Sequence, residues 1–301
     1  MQKLWICMLG KIIKEFNGLK KRPLKCIIKS LDYHCGLGFL ERGFFCNWFN
    51  PLYTIYLNFR SFPLRQAICL PIFVYGHPRF YGLTGDMLIK GKITPGMIHF
   101  NRVMTGAPSN MSVQSEILNL GTIIFHGKGL IGTGNKIKVA SSAVLEVGAN
   151  FKITDMCNIG CCSKIFIGEQ SWVVHRCQVI DSNFHYVSNW EKGMVPKQTA
   201  PIFIGKGCWI CNTTTITGGA VLPNFTIVAS NSLVGKDYSF VPESSMIGGI
   251  PAKLIKTGLR KVDNSKIENR VNSYYRENPN GLFRISKDDT MDEYSFVDKF
   301  K

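Results

Sequence analysis

Acidic side chains are scarce in this sequence. Its 301 residues carry 20 Asp and Glu against 36 Lys and Arg, a formal net charge of +16. A surplus of that size favours an anionic partner: nucleic acid, an anionic membrane surface or a phosphorylated small molecule. No nucleic-acid-reading motif accompanies the charge, so nucleic acid is not an expected partner. No run of 18 apolar residues occurs, which argues against a transmembrane helix. The opening LWICMLG is too short for a signal-peptide core, and no small-residue cleavage site follows it closely. The 11 cysteines are odd in number and lack the spacing of a secreted disulfide framework. Cys208 and Cys211 form a C-x-x-C without a second pair or a thioredoxin-like context, so no metal and no redox site is expected there. Reduced cysteines used as small hydrophobes point to the cytoplasm.

What the sequence does contain is a period of six. Ile204, Ile210, Ile216, Leu222, Val228 and Val234 are evenly spaced and all aliphatic. A helix repeats every 3.6 residues and a strand every two, so neither gives a strict six. A six-residue apolar period predicts a hexapeptide β-helix, in which three hexads make one triangular coil and the apolar residue of each points inward. Earlier hexads run through Ile131 and Ile137, through Val147, Ile153, Ile159 and Ile165, and through Ile167, Val173 and Val179. Gly132, Gly148, Gly160, Gly168 and Gly205 each follow an inward aliphatic, which predicts tight corners with positive φ. The rhythm stops after Val179 and resumes at Ile204. A loop over 186–201 is therefore expected, and long loops in regular solenoids commonly carry function.

Three regions follow. Residues 76–256 form the β-helix, with 235–256 leaving the regular coils. Residues 1–75 are a basic, aromatic lead-in. Pro63 and Pro71 divide a short helix, a helical turn and a strand at Ile72–Tyr75, which together cap the open end of the solenoid. Residues 257–301 are a tail with a helix near Lys266–Tyr275 and weak order beyond 284. Residues 1–30 hold eight basic side chains and one acid, and 3–18 read as a basic amphipathic helix. Such a helix either packs on its own protein or lies on the inner face of an anionic membrane.

The hexads, the IDSNFHYV segment and the closing GGIPAKLIK together resemble the hexapeptide-repeat acyltransferases. More narrowly, they resemble the left-handed β-helix O-acetyltransferases of the maltose, galactoside and virginiamycin type, and their polysaccharide-modifying relatives. The resemblance implies an all-β, left-handed parallel β-helix and acetyl-coenzyme A as co-substrate. It implies a sugar or polysaccharide acceptor and a homotrimer with sites between subunits. His185 matches the catalytic histidine. The chemistry suits it, since a neutral imidazole takes the proton of a hydroxyl attacking a thioester. The base needs an orienting partner on its other ring nitrogen, for which Asp181 or a backbone carbonyl is the candidate, and Asn183 is a candidate hydrogen-bonding contact for the acceptor. Trp209 matches a tryptophan beside the coenzyme groove. Gly218, Gly219, Ala229 and Ser230 match small residues along the pantetheine arm, and Lys253 and Lys256 match cations near the phosphates. Cys211 and Pro223 stand where the family usually has glycine, and Ile250-Pro251-Ala252 replaces its N-P-A. N-acyl transfer to an amino sugar and a non-catalytic scaffold are the alternatives. Metal-dependent hydration on the same fold would need three clustered histidines, and His126, His175 and His185 lack the expected H-x-x-x-x-H pairing.

Overall fold

A computed structural model of the chain describes residues 48–104 and 113–295. The expected helix over 3–18, and residues 105–112 of the irregular stretch, lie outside them. The hexads close into a triangular prism with nine-stranded, seven-stranded and six-stranded faces. Successive strands pass from face to face, and through the regular coils each pairs in parallel with the strand three elements on. Phe151–Ile153, for example, lies between Gly129–Ile131 and Trp172–Val173. This is the parallel β-helix expected from the period, of the left-handed class that the resemblance implies. Every hexad aliphatic named above is buried. Cys157, Cys161, Cys177 and Cys208 share that interior as small apolar groups. Burial pushes the Cys161 and Cys208 thiols up to about 12.

The glycines of the hexads do a different job from the one expected. None of Gly132, Gly148, Gly160, Gly168 and Gly205 has positive φ. The left-handed corner positions belong instead to residues such as Asn150, Gln170, Thr213 and Asn231. Gly132, Gly148, Gly168 and Gly205 are needed because the coils stack closely, whereas a Cβ on Gly160 would meet only the Ile180 side chain, at 3.4 Å. A Cβ on Gly168 would lie 2.5 Å from the carbonyl carbon of Gly205, and one on Gly148 would lie 2.3 Å from the Glu169 nitrogen. Backbone cannot swing aside as a flexible side chain can. Gly168→Ala is therefore expected to cost about 1–3 kcal/mol, read as a lower urea midpoint at unchanged m-value.

The open end of the nine-stranded face is covered by helices α1 (Pro51–Ser61) and α2 (Leu64–Ala67). Asn50 caps α1, its side chain accepting from Tyr53 N–H, and Pro51 stands at the first helical position. The first strand, Ile72–Val74, has one unpaired edge, and α1 satisfies it with side chains. Asn58 Oδ1 accepts from Ile72 N–H at 3.1 Å, Asn58 Nδ2 donates to Ile72 O at 2.7 Å, and Thr54 Oγ1 accepts from Val74 N–H at 3.0 Å.

One coil further on, His99 is held between Tyr75 and Arg102. Arg102 Nη1 donates to Nε2 at 3.3 Å, so Nδ1 carries the proton and donates to the Tyr75 hydroxyl at 2.9 Å. Burial first, and the Arg102 charge second, lower the His99 pKa to about 4. The unfolded chain then binds a proton near pH 6.5 that the folded chain refuses until about pH 4. Stability is expected to fall as pH drops through that window, and His99→Gln should flatten this part of a melting-temperature profile.

At the other end, Ser245–Gly249 adds a parallel strand to the nine-stranded face and Ala252–Thr257 turns back antiparallel to it. Part of 235–256 thus continues the sheet rather than leaving it. The tail is also better anchored than expected. Helix α3 (Ser265–Glu277) is joined by α4 (Met291–Ser295), whose Tyr294 and Ser295 are buried. The Asp263 N–H donates to the Tyr294 carbonyl at 2.8 Å, and Arg270 pairs with Asp289 at 2.9 Å. No helix among the described residues is long and apolar enough to cross a membrane.

Candidate active site

The hexad rhythm breaks between Gln178–Ile180, on the seven-stranded face, and Ile202–Ile204, on the six-stranded face. The intervening chain is a projecting ribbon rather than a shapeless loop. Ser182 bridges Thr199 at its root and Asn189 bridges Met194 near its tip, both antiparallel. Asn183 N–H donates to Gln198 O at 2.9 Å. The Ser182 hydroxyl accepts from Phe184 N–H at 3.0 Å, and Phe184 adopts a φ of 59°. This turn throws the next side chain, His185, outward.

His185 is exposed, and its ring has no hydrogen-bond partner among the described residues. The Asn183 carboxamide is likewise free on the surface. Asp181 is fully buried. Its two carboxylate oxygens accept from Cys162 N–H at 2.7 Å and Ser163 N–H at 2.8 Å, in the coil below. The carboxylate therefore anchors a turn. The orienting role expected of it has no contact with His185 to act through among the described residues.

Gly218 and Gly219 sit one coil above, on the root of the ribbon. Gly219 N–H reaches the carbonyls of Ala200 and Pro201 at 3.3 and 3.1 Å. A Cβ on Gly218 would come within 3.1 Å of the Ala200 and Asp181 carbonyl oxygens, a tight contact at the root of the ribbon. Gly219, with a φ of 84°, has open space beside it.

The remaining expected coenzyme residues lie elsewhere on the prism. Trp209 faces outward from the nine-stranded face, beside Trp172. Ala229 and Ser230 form the corner between the nine- and seven-stranded faces, where Ala229 N–H donates to Ile247 O. Lys253 and Lys256 are exposed on the closing antiparallel strand. One set of residues thus gathers at the His185 edge and a second at another edge. A single chain does not bring the two together.

The histidines are also dispersed. His126 pairs with Glu146 at 2.7 Å on the six-stranded side, and His175 occupies the corner after Val173. No group of three or more metal-ligating side chains converges among the described residues. A groove of about 440 Å³ lies at the α1 end, lined by Tyr53, Tyr56, Arg79 and Phe80, not beside His185.

One cluster has no signal in the sequence. The Lys152 and Lys261 ammonium groups lie 3.7 and 3.6 Å from the centre of the Trp172 ring. Lys261 pairs with Asp263 at 3.1 Å, and burial lowers its pKa to about 8. Arg260 packs 3.8 Å over Phe225. These contacts strap the tail across the nine-stranded face. Only the fold brings Lys261 to Trp172.

A hexapeptide-type β-helix with a projecting ribbon is the class that this geometry defines. No protein-family profile matches the chain. An Escherichia coli K12 protein, provisionally named as a lipopolysaccharide biosynthesis O-acetyl transferase, is 24% identical over 148 residues, covering 46% of this chain and 74% of that protein. Among solved structures, a hexapeptide-repeat-containing acetyltransferase from Vibrio cholerae, complexed with acetyl-coenzyme A, is 22% identical with a TM-score of 0.32. The match covers 38% of this chain and 60% of that one. A polysialic-acid-specific acetyltransferase is 19% identical with a TM-score of 0.34, covering 66% of this chain and 79% of its own.

Proposed function

We propose that the chain is an acetyl-coenzyme A-dependent O-acetyltransferase acting on a sugar hydroxyl of a surface or capsular polysaccharide. The observation that carries this reading is the His185 imidazole, without a hydrogen-bond partner among the described residues and thrown outward at the root of the ribbon of residues 181–200. The name of the Escherichia coli relative supports the reaction class and the polysaccharide acceptor. As the acceptor oxygen bonds to the thioester carbon, its proton passes to the neutral His185 ring. The carbon–sulfur bond then breaks, and the coenzyme thiolate leaves with the proton returned by the imidazolium. Asn183, two residues away, hydrogen-bonds the acceptor.

The coenzyme runs past Trp209 and the Ala229–Ser230 corner, with its phosphates on Lys253 and Lys256. Those residues are on a different edge from His185, so a complete site needs the His185 edge of one copy beside the coenzyme edge of another. A cyclic trimer supplies that arrangement at each interface. The exposed apolar tip of the ribbon, with Trp190 at 89% exposure beside Val187 and Met194, supports burial against a neighbouring copy. The reducing cytoplasm is the proposed location, in keeping with the free, apolar-packed thiols. Titration calorimetry with coenzyme A tests the reading against a non-catalytic scaffold. Saturable binding is expected, and absence of heat at millimolar coenzyme A would favour the scaffold.

A further inference from the structure

Helix α1 is inside out. Its buried face consists of Thr54, Leu57, Asn58 and Ser61, three of them polar and two of them spent on the edge of Ile72–Val74. The opposite face carries Leu52, Ile55, Tyr56 and Phe59, at helical spacings of three, four and seven from Leu52 and within about a 100° arc. All four are exposed, Leu52 by 75%, and Leu64 and Ile68 of the following turn extend the patch. An apolar face at the end of a prism is normally the face that caps the core. Here hydrogen bonding to the sheet edge has turned it outward, and none of the described residues covers it.

The charges around the patch indicate what does. Arg60 and Arg65 are exposed around it, Arg79 at its border is 3.9 Å from Glu116, and the sequence has no Asp or Glu from 47 to 85. A second copy docked face to face would set these arginines against their like. A layer with an apolar interior and an anionic surface matches both features at once. We infer that the α1–α2 cap is a membrane-docking surface. Leu52, Ile55, Phe59 and Leu64 enter the headgroup boundary of an anionic bilayer while the arginines stay at the phosphates.

The inference stands apart from the acetyl-transfer reading, but it has a consequence for that reading. From Arg79–Phe80 to Gln178–Ile180, at the root of the His185 ribbon, there are four strand steps on the seven-stranded face. At about 4.8 Å per step, the ribbon root stands roughly 19 Å above the Arg79–Phe80 strand, and the thickness of helix α1, about 10 Å, separates that coil from the bilayer. That is within reach of a membrane-anchored glycan some way along its chain.

Flotation of the full chain with vesicles of equimolar phosphatidylethanolamine and phosphatidylglycerol tests the inference. The comparison is with the Ile55→Ser/Phe59→Ser double variant, which adds no charge and retains the basic residues 1–30. Wild type is expected to float with these vesicles and the double variant to bind roughly tenfold or more weakly, with an unchanged melting temperature. Equal flotation of the two, or flotation of neither, overturns the inference. So does a melting temperature that falls in the variant while flotation is unchanged, since the patch is then filled by the chain itself. Loss in the variant of a larger assembly seen by sedimentation, with flotation unchanged, overturns it in favour of a second copy.

Discussion

Replacing His185 by alanine is expected to lower kcat for acetyl transfer by about 10²- to 10⁴-fold, the range for a general base. Coenzyme affinity and melting temperature should not move. The reason lies in how little the ring does for the fold. It is exposed and has no hydrogen bond among the described residues. Removing it leaves no cavity and no unpaired buried group. An imidazole that stabilises nothing, held out by a turn with Phe184 in the left-handed region, is free to serve chemistry. Steady-state kinetics with saturating acetyl-coenzyme A and calorimetry on the variant separate the two effects. A variant that keeps wild-type kcat removes His185 from the mechanism.

The second large effect is expected four residues earlier and of the opposite kind. Asp181→Ala strips the acceptors from two half-buried backbone N–H groups, those of Cys162 and Ser163. The cost is expected at about 2–5 kcal/mol, read as a lower urea midpoint. Asp181→Asn keeps one acceptor oxygen but turns an NH₂ group toward the other N–H, so it should fall between wild type and Ala. Activity per folded molecule should survive the Asn change. If stability is unchanged and kcat collapses instead, Asp181 acts on His185 after all, through a partner copy or a bridging water.

The coil was legible in the sequence because one inward residue per six leaves a period that no helix or flat strand can mimic. The interruption after Val179 was equally legible, and His185 stood out beside it only through the resemblance of IDSNFHYV to a family segment. What a residue touches was harder to read. Gly168 shows in the sequence only that it lacks a side chain; that the lack serves coil stacking rather than a left-handed turn depends on the next coil. Asp181 looked like a site residue because it precedes the histidine, and only its complete burial reveals an anchor. Helix α1 defeats pattern reading outright. Thr54 and Asn58 face inward because a strand edge needs hydrogen bonds, which reverses the usual rule for amphipathic helices. The tail's hold on Trp172 through Lys261 is a long-range contact with no local trace.

The measurement that bears most directly on the proposed chemistry is transfer itself. De-O-acetylated surface polysaccharides are incubated with the full chain and isotopically labelled acetyl-coenzyme A. The product is then treated with mild alkali, which cleaves esters and spares amides. We predict label in the polysaccharide that alkali releases, and none when His185→Ala replaces wild type. Alkali-resistant label would show an N-acyltransferase. Label that appears equally with the His185 variant would contradict the mechanism.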